Sequence, residues 1–105
     1  MTYEKIVEKM RELIARKDVS KVKEHLAYQF NITGEGEGSF YLEVNHGEAH
    51  VEPYEYYDRH AIFICTAELL FDIINGKKDP VKAFEEKTLK VEGDLGKALK
   101  LKDFI

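Results

Sequence analysis

The chain has 105 residues, 44% of them hydrophobic and 34% charged, with a formal net charge of −4. This length fits one domain spanning residues 1–105 around one ordinary core, so any ligand site must be built from the residues that also make the core. The acidic balance argues against nonspecific nucleic-acid binding, and the single cysteine, Cys65, excludes an internal disulfide and points to a reducing cytoplasm.

The charge is unevenly placed. From Tyr28 to Cys65 there are six Glu, one Asp and only Arg59 in opposition, whereas eight lysines from Lys77 to Lys102 crowd the last third. A solvated lysine face is the ordinary reading; a transient contact with an anionic membrane surface or an acidic partner is the alternative. The N-terminus lacks a basic segment followed by an apolar signal core, and no apolar run approaches the roughly 18 residues of a membrane span.

In chain order, Tyr3, Ile6, Val7, Met10, Leu13 and Ile14 recur at helical spacing and predict an amphipathic first helix with Thr2 as N-cap. Asp18 or Ser20 is expected to cap a second, shorter helix carrying Val19, Val22 and Leu26. Alternation then takes over at Tyr28, Phe30 and Ile32, the first strand. The run "GEGEG", Gly34 to Gly38, reads as a hairpin loop; its glycine spacing is wrong for a dinucleotide fingerprint and its two glutamates would repel phosphate. A second strand places Phe40, Leu42 and Val44 inward. Asn45 to Gly47 supplies a tight turn, and Ala49 and Val51 continue the inward face of a third strand until Pro53, giving an antiparallel meander.

The segment "PYEYYDRH" loops across to "AIFIC", a strand with continuous apolar character. Thr66 caps a helix bearing Leu69, Leu70, Phe71, Ile73 and Ile74, and Gly76 is a fitting residue just past its end. Asp79 before Pro80 starts a short helix with Ala83 and Phe84 expected to be buried. "TLKVE" alternates as a strand with Leu89 and Val91 inward, Gly93 turns the chain, and Asp94 caps a last helix carrying Leu95, Ala98 and Leu99, with Phe104 beyond. A late strand framed by two helix starts must join the earlier sheet, which predicts an α+β fold with the helices over one sheet face. Helices that stand slightly off that face leave an apolar cavity lined by Phe40, Phe63, Ile74, Phe84 and Leu99.

The last third carries a resemblance. Gly76, Lys77, Asp79, Pro80, Ala83 and Phe84, then Leu89, Lys90, Val91, Gly93 and Asp94, then Ala98 and Leu101, are similar to the pattern of the sterol carrier protein type 2 (nonspecific lipid-transfer) domain, and the order of elements from Tyr28 onward agrees. The resemblance implies a five-stranded, mostly antiparallel sheet with helices over one face and a hydrophobic tunnel between them. Such a tunnel takes fatty acyl chains, acyl-CoA or sterols with neither covalent chemistry nor a cofactor. By position, Leu70, Ile73 and Ile74 would flank the tunnel, Phe84 would follow on the next helix, and Leu95 and Leu99 would close it; Phe40, Leu42 and Phe63 of the strands are further candidate ligand-binding residues.

Three departures stand out. Lys87 occupies the place where the family has a glycine before the last strand. Ile62 and Ile64 make the outer side of "AIFIC" apolar, which suggests a homodimer contact. The chain ends at Phe104-Ile105 without the peroxisomal tail of some relatives, which favours a bacterial or archaeal cytoplasm.

Competing chemistry is sparse. His46, Glu48 and His50 are metal-ligand types, but the spacing is not that of the helical zinc motif, and a solvated hairpin tip is the expected fate. Cys65 precedes a helix start and could be activated there, yet a buried inert thiol is expected, with His60 facing the other way. Tyr54, Tyr56 and Tyr57 with Asp58, Arg59 and His60 form the one dense aromatic-polar cluster. Tyr54, Tyr57 and Arg59 are therefore candidate contacts for a lipid headgroup. Together these readings predict a non-enzymatic lipid-binding domain; the alternative is an accessory or protein-interaction domain whose cavity is filled by Phe40, Phe63, Phe71 and Phe84.

Overall fold

The computed structural model describes all 105 residues. Helix α1, Tyr3–Ala15, begins where the Lys5 amide donates to Thr2 Oγ1, and it buries Ile6, Val7, Met10 and Ile14 along one face. Strands β1 (Leu26–Thr33), β2 (Gly38–Asn45) and β3 (Glu48–Glu52) follow, then β4 (Ala61–Thr66), α2 (Ala67–Ile74), α3 (Pro80–Glu85), β5 (Lys90–Gly93), α4 (Leu95–Leu99) and a 3₁₀ turn over Lys100–Asp103.

The sheet order is β3-β2-β1-β4-β5, antiparallel throughout except for the β1–β4 pair. The β2–β3 hairpin closes on two residues of positive φ, His46 and Gly47, whose twist matches that of the flanking strands. Because side chains alternate along a strand, register defines two faces. Tyr28, Phe30 and Ile32 of β1, Phe40 and Leu42 of β2, and Phe63 and Cys65 of β4 share the inner face, where all are buried. Rings of Phe30, Phe40 and Phe63 stack there at centroid distances of 5.3 and 5.4 Å.

Thr66, Asp79 and Asp94 cap α2, α3 and α4 through their side chains, as their sequence positions predict. The expected second helix does not form. Asp18 Oδ1 accepts from both the amide and the hydroxyl of Ser20, a local turn that competes with helical hydrogen bonding. Leu26, assigned to that helix, instead opens β1 opposite Val44. Phe84, expected to be buried, is 45% exposed: α3 has only six residues and turns Ala83, not Phe84, into the core. Leu95 and Leu99, expected to face inward, are 53% and 57% exposed, and Leu101 and Phe104 beyond them are buried in their place.

Candidate functional site: an apolar cleft beneath the last two helices

The short lengths of α3 and α4 create the site. Neither helix covers the β5 end of the sheet completely, and between them lies a partly open cleft of about 360 Å³. Pro80, Val81, Phe84 and Glu85 of α3 form one wall, and Leu95, Ala98 and Leu99 of α4 with Leu101 and Lys102 form the other. Phe63, Leu89 and Val91 form the floor. Nine of the twelve lining residues are hydrophobic, which suits an apolar ligand, and the only charged ones are Glu85 and Lys102. Past Phe84 a second groove runs along β5 beside Lys87 and Lys90.

Helix α4 is held over the cleft from below and from the side. Tyr28 Oη donates to the Lys97 carbonyl at 2.7 Å, and burial pushes the Tyr28 hydroxyl well above the ordinary tyrosine range. The ammonium groups of Lys100 and Lys97 grip Glu24, and hydrogen bonds from them, Lys100 first, hold its carboxyl down at about 2. The Asp94 amide donates to the His60 carbonyl at 2.9 Å, fixing the start of α4 to the start of β4.

Of the residues expected to bind ligand, the cleft gathers Phe63, Phe84, Leu95 and Leu99. Phe40, Leu42, Leu70, Ile73 and Ile74 do not line it; they are buried in the core, Phe40 and Leu42 from β2 and the other three from α2, and the recess lies toward β5. Tyr54, Tyr57 and Arg59 do not line it either. Their segment crosses the opposite sheet face, where the Tyr56 amide donates to Gln29 Oε1 and the Tyr56 hydroxyl to Glu43 Oε2 at 2.8 Å. Gln29 and Glu43 alternate with the inward Tyr28, Phe30, Leu42 and Val44, and His25 also meets Glu43, at 2.7 Å. Pro80, Val81, Glu85 and Lys102 were not anticipated as lining. Pro80 and Val81 stand one helical turn before Phe84 and Glu85, so i,i+4 spacing was the available signal.

Neither the cysteine nor any histidine lines the cleft. Cys65 is buried on the inner face, and burial alone pushes its thiol up to about 12, which leaves it protonated. His46 sits in the hairpin turn and His50 opposite Glu43 on β3; no three side chains of metal-ligating type converge anywhere in the chain. No helix is long and apolar enough to cross a membrane.

Sheet, helices and recess together define a class: one-sheet α+β domains whose helices leave an apolar opening at one end of the sheet. The chain belongs to the SCP-2 sterol transfer family, whose sequence pattern matches residues 4–105. Over 81 residues it is 32% identical to hydroxysteroid dehydrogenase-like protein 2 of Xenopus tropicalis, covering 74% of this chain but only 19% of that much longer protein. Among solved structures it is similar to a double mutant of the sec-alkyl sulfatase PisA1 from Pseudomonas sp., with a TM-score of 0.78 and 17% identity over 92% of this chain and 16% of that one. It is also similar to palmitated SCP2L2 of Aedes aegypti, with a TM-score of 0.67 and 19% identity over 96% and 91% of the two chains. At these identities the structural likeness is one of fold.

Proposed function

We propose that the chain binds an amphiphile with a long apolar chain, of the fatty-acid, fatty-acyl or sterol-like class, in the cleft between α3 and α4. Binding proceeds without covalent chemistry and allows the ligand to be passed on. The observation that carries this reading is the apolar cleft itself: Phe84, Leu95 and Leu99 stand half-exposed around a recess whose volume falls in the range of about 300–1,000 Å³ usual for small-molecule sites. Palmitate in the Aedes aegypti relative supports an acyl chain as the occupant. Lys102, the only cation lining the recess, is the proposed contact for a carboxylate or other anionic headgroup, a role that the outer-face position of Tyr54, Tyr57 and Arg59 does not suit. A buried, protonated thiol and a reducing cytoplasm are compatible.

A second reading is an accessory domain that serves a partner protein or a neighbouring domain. It is favoured by the stacked Phe30, Phe40 and Phe63, which close the interior beneath α1 and α2, and by the greater length of the Xenopus and Pseudomonas relatives.

Extraction of the purified native protein with organic solvent, followed by mass spectrometry against an unrelated protein prepared identically, separates the two. Stoichiometric enrichment of one lipid class is the expected result. Empty extracts, repeated after incubation with fatty acid, acyl-CoA and sterol, would remove the lipid reading and leave the accessory one.

A further inference from the structure

The two edges of the sheet differ. At β3 the edge is closed: α1 packs along it, and Arg11 Nε donates to the Val51 carbonyl at 2.8 Å while Nη2 reaches Glu52. At β5 it is open. The Asp94 amide donates to the His60 carbonyl, so along the antiparallel β4–β5 ladder residues 94, 92 and 90 turn their backbone groups toward β4, and Val91 and Gly93 turn theirs away. No loop, cap or side chain bonds to the backbone of Val91 or Gly93 in place of a strand.

A groove of about 490 Å³ runs beside this edge, lined by Lys90 and Val91 of β5, by Leu89 before them, and by Phe84, Glu85 and Lys87 at the end of α3. Lys90 and Val91 point to opposite sheet faces, so a groove that touches both lies at the edge rather than over either face. Its apolar side is Phe84, Leu89 and Val91, on the face where Val91 meets Phe63. Lys90 and Glu92 flank Val91 on the other face; both are exposed and neither forms an ion pair. A short edge strand bearing a lysine is a common guard against unwanted pairing, but a guard needs no groove beside it.

We propose that the open edge of β5 accepts an extended segment of a partner protein as a sixth, antiparallel strand. Main-chain hydrogen bonds to Val91 and Gly93 supply the pairing, and alternate side chains supply the specificity. The residue opposite Val91 shares its face and enters the groove, so it is large and apolar. Its neighbours lie against Glu92 and Lys90, so the segment is basic just before that residue and acidic just after it. A second copy of the chain carries the same order in Lys90, Val91 and Glu92, yet it is the poorer occupant. Valine leaves much of the groove beside Phe84 unfilled, and a two-fold mate would bring its own Phe84, Glu85 and Lys87 into the same space. The added strand runs sideways from the sheet, leaves the outer surface of β4 free, and does not depend on lipid binding in the cleft.

The test is an NMR titration of the isotope-labelled full chain with the end-capped peptide Thr-Lys-Phe-Glu-Thr. The amides of Val91 and Gly93 should shift and gain hydrogen-exchange protection, while those of β3 stay unmoved. The same peptide N-methylated at its phenylalanine lacks the donor that meets the Val91 carbonyl and should not bind. Thr-Lys-Phe-Lys-Thr sets a lysine against Lys90 in either strand direction and should bind about fivefold more weakly. Lys90→Glu, an exposed substitution, should reverse that preference.

Unmoved Val91 and Gly93 amides, equal binding by the N-methylated or the dibasic peptide, or a preference that Lys90→Glu leaves as it was would each overturn the proposal. So would protection of Val91 and Gly93 that rises with protein concentration in the absence of peptide, which would give the edge to a second copy.

Discussion

At Gly93 the backbone φ is +100°, and an added Cβ would lie 2.6 Å from the His60 carbonyl oxygen and 3.1 Å from Ala61 Cα. Both the turn and the close approach therefore require glycine. Gly93→Ala is expected to destabilise the fold by about 1–3 kcal/mol, seen as a lower urea midpoint with an unchanged slope. Lys87 poses the opposite case. Helices α2 and α3 end in the same motif: the residue after the cap is left-handed, and the amide beyond it reaches back to a carbonyl of the last turn, Lys77 to Asp72 and Thr88 to Ala83. Gly76 fills the left-handed position in α2 with φ +76°, but Lys87 fills it in α3 with φ +67°. A left-handed lysine costs about 1–2 kcal/mol, partly offset in any glycine variant by the latter's freer unfolded chain, about 0.4–1 kcal/mol. Lys87→Gly should thus stabilise by about 0.5 kcal/mol, and a lower melting temperature would contradict this account. Gly93 could be read from the sequence as a turn; Lys87 could not, because lysine carries no turn preference and only the departure from the family's glycine marked the position.

Helix α4, five residues long, is too short to hold its shape alone and depends on its anchors. The Glu24 anchor has a pH dependence whose direction follows from its cause. Its carboxyl is depressed in the folded chain, from 4.5 to about 2, so the contribution of the Lys100 and Lys97 hydrogen bonds is fully present above about pH 4.5 and is lost as pH falls through about 2. Amide resonances of α4, followed during an acid titration, should keep their folded positions until pH approaches about 2. In Glu24→Gln they should already show weaker hydrogen-exchange protection at neutral pH, with looser fatty-acid binding as a consequence. Identical protection in the two proteins would mean that Tyr28 and Asp94 suffice to hold the helix. The caps of α2, α3 and α4 were legible because each lies next to the helix it starts. The Glu24 anchor was not: it joins residues 73 positions apart, and helical periodicity at Val19, Val22 and Leu26 suggested a helix in the segment that instead delivers Glu24.

Across the whole molecule, alternation in the strands revealed which residues face inward, but not which of them would border an opening. That depends on how far α3 and α4 reach across the sheet, and their exposed Phe84, Leu95 and Leu99 looked like core residues in the sequence. The fate of Tyr54 to Arg59 follows from topology. Strand β4 lies on the far side of β1 from β3, so the connection must pass over β2 and β1, and with the inner face occupied by α1 and α2 it takes the outer one. The outer surface of β4 beyond it offers Ile62 and Ile64, half-buried, with Glu92 and Lys90 opposite them on β5. This surface is the proposed homodimer contact. A two-fold mate would pack isoleucine against isoleucine while setting Lys90 of each copy toward Glu92 of the other, a complementary arrangement. Sedimentation at high micromolar concentration should then give twice the 12.2 kDa chain mass, and Ile62→Glu with Ile64→Glu should halve it. A parent protein of monomer mass would assign the two isoleucines to ordinary, partly covered surface. Since the cleft opens on the other side of the sheet, such a dimer leaves both clefts free, and the Ile62 and Ile64 variant should bind fatty acid as tightly as the parent.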